Sequence, residues 1–220
     1  MRILVLLGAP GAGKGTQATI LAQRLGLPHV ATGDLFRAAA RAGTALGREA
    51  QRYMERGELV PDAITVDMLI ERIDRPDARE GVILDGFPRS RNQAEALEAA
   101  LLARGVQVER ALLVDVPAED LVGRLSGRWV CRLAGHPFHV VINPPRIPGI
   151  CDVDGSPLEQ REDDRPEVVR SRLARQLPPM QSVVEYYRAR GVLRTVDGRQ
   201  PIEDVTRDLI AAVETVRHQA

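Results

Sequence analysis

Apolar and polar positions along this chain follow two different periods. Short runs that are almost wholly apolar read as strands buried on both faces: Arg2–Leu7, Leu27–Ala31, a run starting at Gly81 and closing on Asp85, Ala111–Val116, and a last one within Gly191–Gly198. Between them, apolar residues recur at helical spacing over Gln17–Leu25, Leu35–Arg41, Thr44–Arg56, Ala63–Asp74, Ser90–Arg104, Glu119–Leu125, Pro166–Gln176, Met180–Arg190 and Pro201 to about Val216. Thr32 or Asp34 is placed to cap the second helix, Asp62 the fourth, and Asp163 or Asp164 the one that starts at Pro166. Strands that alternate with helices in this way imply an α/β fold, a three-layer arrangement with a parallel sheet at its centre. Ligands of such a sheet sit outside the carboxyl ends of its strands.

One junction between strand and helix carries chemistry. Gly8-Ala9-Pro10-Gly11-Ala12-Gly13-Lys14-Gly15-Thr16 follows the first strand and opens the first helix, which is the context of a phosphate loop. Glycines let backbone amides approach an anion, and the helix adds its positive end. Of 30 basic residues Lys14 is the only lysine; every other one is arginine. A compact ammonium on a thin stem fits between loop and phosphates where a planar guanidinium does not. Asp85, at the end of its buried strand, is the second chemical candidate, because an acid there sits beside the loop and handles magnesium through water. A turn former before Gly86 is the plainer account of the same residue.

Composition narrows the setting. The chain has 220 residues, no net formal charge and two cysteines. No basic field points to nucleic acid, no apolar run approaches the roughly 20 residues that span a bilayer, and two cysteines make no disulfide framework. The start of the chain enters a strand at once and lacks the layout of a signal peptide. A cytoplasmic protein is expected. The texture breaks at Gly127–Glu159, which is rich in proline and holds both cysteines, His136 and His139 but no long helical period. It reads as a small inserted module.

With these motifs in order, the chain resembles the nucleoside monophosphate kinases, specifically the long-lid adenylate kinases, over essentially its whole length. The matching motifs are GAPGAGKGTQA at Gly8–Ala18, TGDLFR at Thr32–Arg37, LDGFPR at Leu84–Arg89 with Gln93 beyond, the Arg124 and Arg128 pair, NPP at Asn143–Pro145, and QREDD at Gln160–Asp164 with Arg172 following. The GKGT form, with Gly15 and then Thr16 after Lys14, is usual in that family and argues against a hydroxyl that ligates magnesium directly. The resemblance implies reversible, magnesium-dependent transfer from ATP to AMP to give two ADP. It implies a core of residues 1–31, 61–126 and 162–220, a helical AMP-binding insertion at 32–60 and a lid at 127–161, in a single chain acting as a monomer. Gly11, Ala12, Gly13, Lys14, Gly15 and Thr16 would hold the ATP phosphates, with Arg124 and Gln200 at its adenine. Thr32, Arg37, Leu59, Val60, Gly86, Arg89 and Gln93 would read AMP, and Arg128, Arg161 and Arg172 would close around the transferring group. Asp163 and Asp164 would brace Arg161 and the lid hinge. No strong general base is required, because the attacking phosphate is already an anion.

Some lids of this family hold structural zinc through paired cysteines. Cys131, Cys151 and Asp154 fit three of those positions; the fourth is Ala134, which cannot ligate, and His136 two residues on could complete the set. A metal-free lid with two buried thiols is the alternative. Two rivals compete for the whole reading: a sister kinase acting on UMP or CMP, and a phosphate-loop protein that binds nucleotide without transferring phosphate. Gln93, suited to pairing with adenine, and the two arginine-lined phosphate sites favour the adenylate reading over both.

Overall fold

The computed structural model describes residues 1–56, 58 and 60–214. In chain order the strands are β1 (Arg2–Leu7), β2 (His29–Ala31), β3 (Gly81–Asp85), β4 (Val108–Asp115), β5 (Arg128–Cys131), β6 (Pro137–His139), β7 (Leu158–Glu159) and β8 (Leu193–Asp197). The helices are α1 (Lys14–Leu25), α2 (Thr32–Arg41), α3 (Ala45–Glu55), α4 (Asp62–Ile73), α5 (Arg91–Leu102), α6 (Ala118–Ser126), α7 (Pro166–Ala189) and α8 (Ile202–Glu214). Five strands make one parallel sheet in the order β2-β3-β1-β4-β8. Leu6 and Ala31 both stand opposite Asp85, and Asp115 opposite Asp197, so the carboxyl ends finish level and present their loops to one side.

The period of two in β1 decides the layers. Ile3, Val5 and Leu7 face one core with Leu69 and Ile73 of α4 and Leu97 and Leu101 of α5. Leu4 and Leu6 face the other, with Leu21 of α1, Leu121 and Leu125 of α6, and Val205 and Leu209 of α8. Burial on both sides is why β1 reads as an unbroken apolar run.

Two departures from the sequence pattern have physical causes. The segments expected as separate helices around Pro178 and Pro179 form the single helix α7. Proline removes two N–H donors there and disfavours helix. Burial holds the axis: Val169 and Leu173 sit in one core, while Val183, Val184, Tyr186 and Tyr187 sit in the other. The expected side-chain caps are also displaced. Thr32 and Asp62 are the first residues of α2 and α4, whose N-cap positions are Ala31 and Pro61, and α7 is capped at Arg165. Neither α2, α4 nor α7 has a side-chain cap, so Asp34 and Asp164 do not serve as caps either; the Asp163 side chain lies outside the described residues. Thr44 does cap α3, accepting from the Gly47 N–H at 3.0 Å. The last turn expected for the closing helix, at residues 215 and 216, lies outside the described residues.

Two smaller units rise from the carboxyl side. The hairpin α2–α3 has its own core of Phe36, Ala50 and Val60, with Tyr53, Met54, Ile64 and Met68 against it. The segment between α6 and α7 forms a three-stranded antiparallel sheet, order β6-β5-β7, around Cys131, Phe138 and Cys151. Among the described residues, no helix is long and apolar enough to cross a membrane.

One buried side chain offers a test of the packing. Tyr187 is fully buried, and among the described residues its hydroxyl has no hydrogen-bond partner. Tyr187→Phe should leave stability unchanged or raise it by up to about 1 kcal/mol, whereas Tyr187→Ala should cost about 3–5 kcal/mol. Urea unfolding of both variants checks this, and a clear loss in the Phe variant would mean that the hydroxyl has a partner.

Candidate functional site

The loop between β1 and α1 takes a shape that side chains would block. Gly8 has φ +145°, and a Cβ on it would lie 2.7 Å from the Val114 carbonyl oxygen of β4. Gly13 caps α1 in the left-handed region, which starts the helix at Lys14, three residues before its apolar periodicity begins. Lys14 Nζ donates to the carbonyls of Gly8 and Ala9 at 2.8 and 2.9 Å, so the ammonium is folded back over the loop. Burial pushes its pKa down to about 8; Asp85 opposes that shift, and Arg89, Arg172 and Arg128 add to it.

Asp85 ends β3 beside this loop. Burial pushes its carboxyl up, but a hydrogen bond to His29 and the charges of Lys14, His29 and Arg89 outweigh burial and hold it below the usual carboxylate range. His29 Nε2 lies 3.2 Å from Asp85 Oδ2. The next residue, Gly86, has φ +78°, and a Cβ there would come within 2.9 Å of the Arg89 guanidinium. The Gly86 carbonyl accepts from Arg89 Nε at 2.6 Å and from Thr32 Oγ1 at 3.1 Å. The Thr32 hydroxyl thus ties α2 to the end of β3, which is why it is not free to cap. Arg89 also donates through Nη1 to Gln176 Oε1 at 3.1 Å. Gln93 is buried; its Oε1 accepts from the Arg89 backbone N–H and its Nε2 donates to Asp62, both at 2.7 Å. That fixes the amide orientation and leaves one Nε2 hydrogen and one Oε1 lone pair for a further partner.

The opposite wall begins at the end of α6. Arg128 makes a bidentate pair with Asp164 at 2.7 and 2.5 Å, and Arg172 Nη1 lies 3.8 Å from the same carboxylate. Asp164 is fully buried. Arg124 donates to the Gly198 carbonyl at 2.9 Å, and the Gln200 side chain donates to Asp208 at 3.1 Å. Arg37, on α2, is paired with Asp34.

These elements enclose one cleft of about 900 Å³. Its lining includes Gly11, Ala12, Gly13, Lys14, Gly15, Thr16, Thr32, Arg37, Val60, Asp85, Gly86, Arg89, Gln93, Arg124, Arg128, Arg161, Arg172 and Gln200. Every expected nucleotide residue is therefore on the cleft except Leu59, which lies outside the described residues. Lys14 and the glycine loop share this cleft with Arg37, Arg89, Arg128, Arg161 and Arg172.

Comparison with known proteins agrees with that geometry. The family model for adenylate kinase matches residues 6–192. An adenylate kinase of Staphylococcus epidermidis and one of Staphylococcus aureus are each 46% identical to this chain over 207 residues, covering 94% of it and 96% of their own length. The chain belongs to the adenylate kinase family.

The module between α6 and α7 brings a second cluster together. The ligand atoms of Cys131, His136, Cys151 and Asp154 all lie within 4.8 Å of one another. His136 Nδ1 is 3.5 Å from Cys131 Sγ, 3.4 Å from Cys151 Sγ and 3.1 Å from Asp154 Oδ2. Cys131 Sγ donates to Asp154 Oδ2 at 3.0 Å and accepts from the Ala134 N–H at 3.1 Å. Ala134 thus contributes its backbone where its side chain cannot ligate. Tetrahedral zinc sets neighbouring S, N and O ligands about 3.4–3.6 Å apart, so these four atoms need only small shifts to hold it.

Three residues of the site escaped sequence reasoning. His29 lies on a different strand from Asp85, and only the parallel pairing of β2 with β3 brings them together. Asp62, read as a cap, orients Gln93 instead. Gln176, which holds Arg89, carried no signal beyond its place on a helix.

The depressed Lys14 has a measurable consequence. A triphosphate anion supplies the opposite charge that burial withholds, and raises the pKa again. Calorimetry at pH 8, in two buffers of different ionisation enthalpy, should show uptake of roughly half a proton on triphosphate binding, fading toward about pH 7 where Lys14 is already charged. Lys14→Met should abolish the uptake; equal uptake in both proteins would assign it to another group.

Proposed function

We propose that this chain catalyses reversible phosphoryl transfer between ATP and AMP to give two ADP, and that the two ends of the cleft divide the substrates. The observation that supports this is that Lys14, Arg37, Arg89, Arg128, Arg161 and Arg172 all line one cleft, to which we assign two phosphate-binding ends. A protein that only holds one nucleotide needs one such end. The loop residues Gly11–Thr16 with Lys14 take the ATP phosphates, and Arg124 and the Gln200 backbone flank its adenine. Thr32, Arg37, the backbone at Leu59 and Val60, Gly86, Arg89 and Gln93 take AMP.

The chemistry needs position and charge more than covalent help. Lys14 leaves its resting carbonyls for the phosphate in transit, and the arginines offset charge on its oxygens. Asp85, a carboxylate kept ionised beside Gly15, would hold magnesium through water, and the ion would supply positive charge to offset that of the phosphates. Residues 127–161 act as a lid that excludes water, which would otherwise compete with AMP for the phosphoryl group. Residues 32–60 close from the AMP side, while 1–31, 61–126 and 162–220 stay as the frame. Both ends of the site come from one chain, which supports a monomer, and the substrates support a cytoplasmic setting.

Cys131, His136, Cys151 and Asp154 hold structural zinc in this reading. The donor set fits: hydrogen bonds to its sulfur bring the Cys131 thiol down to about 7 against burial and Asp154, and a thiolate is what zinc takes. The cluster is the lid's internal staple, and its His136 also lines the cleft.

Two measurements test the proposal. A coupled assay should show ADP formed only when ATP, AMP and magnesium are all present. Arg89→Lys, which keeps the charge but loses the planar fork, should lower turnover by about 10²–10³-fold. No ADP from ATP plus AMP, or equal turnover of UMP, overturns the assignment. Metal analysis of the purified protein should find zinc near one per chain. Chelation should lower the melting temperature of the native protein but not that of Cys151→Ala; metal-free native protein excludes the zinc.

A further inference from the structure

His139, the last residue of β6, occupies a joint that nothing above has used. Its Nδ1 accepts from the backbone N–H groups of both Val141 and Ile142, at 3.0 and 3.1 Å. A ring nitrogen that accepts carries no hydrogen, so the proton of the neutral ring is on Nε2. Nε2 faces the Gly123 carbonyl oxygen of α6 at 3.4 Å. The ring also lies on the backbone of Gly127, the C-cap of α6 and the first residue of the inserted module. A Cβ on Gly127 would lie 2.4 Å from His139 Nε2 and 2.5 Å from Cε1. Backbone bonds reinforce the joint: Val140 N–H donates to Gly127, and His139 and Asn143 exchange a pair.

One imidazole therefore ties two parts of the cleft wall. On one side is the turn after β6, which presents Ile142 and Asn143 to the cleft. On the other is α6, whose Arg124 reaches the Gly198 carbonyl beyond β8. We propose that His139 is a positioning residue for the donor nucleotide, setting the distance between the module's inner turn and the Arg124–Gly198 wall. It rests on the reading that this end of the cleft takes ATP. Histidine suits the task because its two nitrogens point in divergent directions, one to the turn and one to the helix. Glycine at 127 suits it because any side chain there displaces the ring.

Steady-state kinetics on the full chain tests the inference. His139→Leu loses both contacts and should raise KM for ATP about tenfold, with KM for AMP and kcat within about twofold of native. His139→Asn keeps an oxygen that accepts from the N–H two residues on, and should recover part of the loss. Gly127→Ala should reproduce the ATP effect in the native background and add little in the His139→Leu background, because both act through one contact. Additive effects, an unchanged KM for ATP, or parallel shifts in both KM values with a fall in melting temperature would overturn the proposal. The native protein in the same assay separates the two readings. Without ADP from ATP plus AMP the functional reading fails; with it, unaffected His139 variants sink only the positioning role.

Discussion

The constraint on which this molecule depends is the crowding of positive charge. Lys14, Arg89, Arg128, Arg161 and Arg172 line one cleft, where burial weakens the screening that water would give. Carboxylates balance part of that charge. Asp164, fully buried, takes Arg128 and stands near Arg172, and Asp85 offsets Lys14. Neutral oxygens also hold these cations: the Gly8 and Ala9 carbonyls accept from Lys14, and the Gly86 carbonyl and Gln176 accept from Arg89. A neutral acceptor holds a cation in place without cancelling its charge, so the cation is still attractive to an incoming anion. The low pKa of Lys14 is the visible result of this repulsion and burial.

That constraint explains the architecture around it. A parallel sheet brings the ends of five strands level, and each end can launch one charged or backbone group toward the same point. The α2–α3 hairpin and the β5–β7 module extend that side of the sheet, the first carrying Arg37 and the second starting at Arg128. Arg37 is paired with Asp34 on its own helix, and Arg128 is held at the module's root by Asp164 from the start of α7.

Much of this was legible in the residues. The five strands of the parallel sheet, most helices and the phosphate loop follow from periodicity and from Gly8–Thr16, because β1 is buried on both faces and its run is unbroken, whereas β5, β6 and β7 of the inserted module were not foreseen. What was not legible depends on distance in space. His29 and Asp85 are separated by 56 positions, and their meeting needs the order β2-β3-β1. The caps were misread for a related reason: Thr32 and Asp62 have local uses that sequence shows and tertiary uses that it hides. The same holds for Pro178 and Pro179, where a local rule against helix yields to burial at both ends of α7.

The inserted module obeys different physics from the sheet. Its core is small: Cys131, Phe138 and Cys151 cluster with Trp129 and Leu158 against them. So small an apolar core cannot hold three short strands by burial alone, and a staple of some kind is needed. The buried thiols of Cys131 and Cys151, with half-buried His136 and exposed Asp154 beside them, are poor packing material but good ligands or hydrogen-bond partners. A module held by its own staple can move as one body. Its stiffness then does not have to come from contacts with the sheet, which would oppose opening. The joint at Gly127 and His139 is held differently, by an imidazole that fits against backbone because residue 127 carries no side chain.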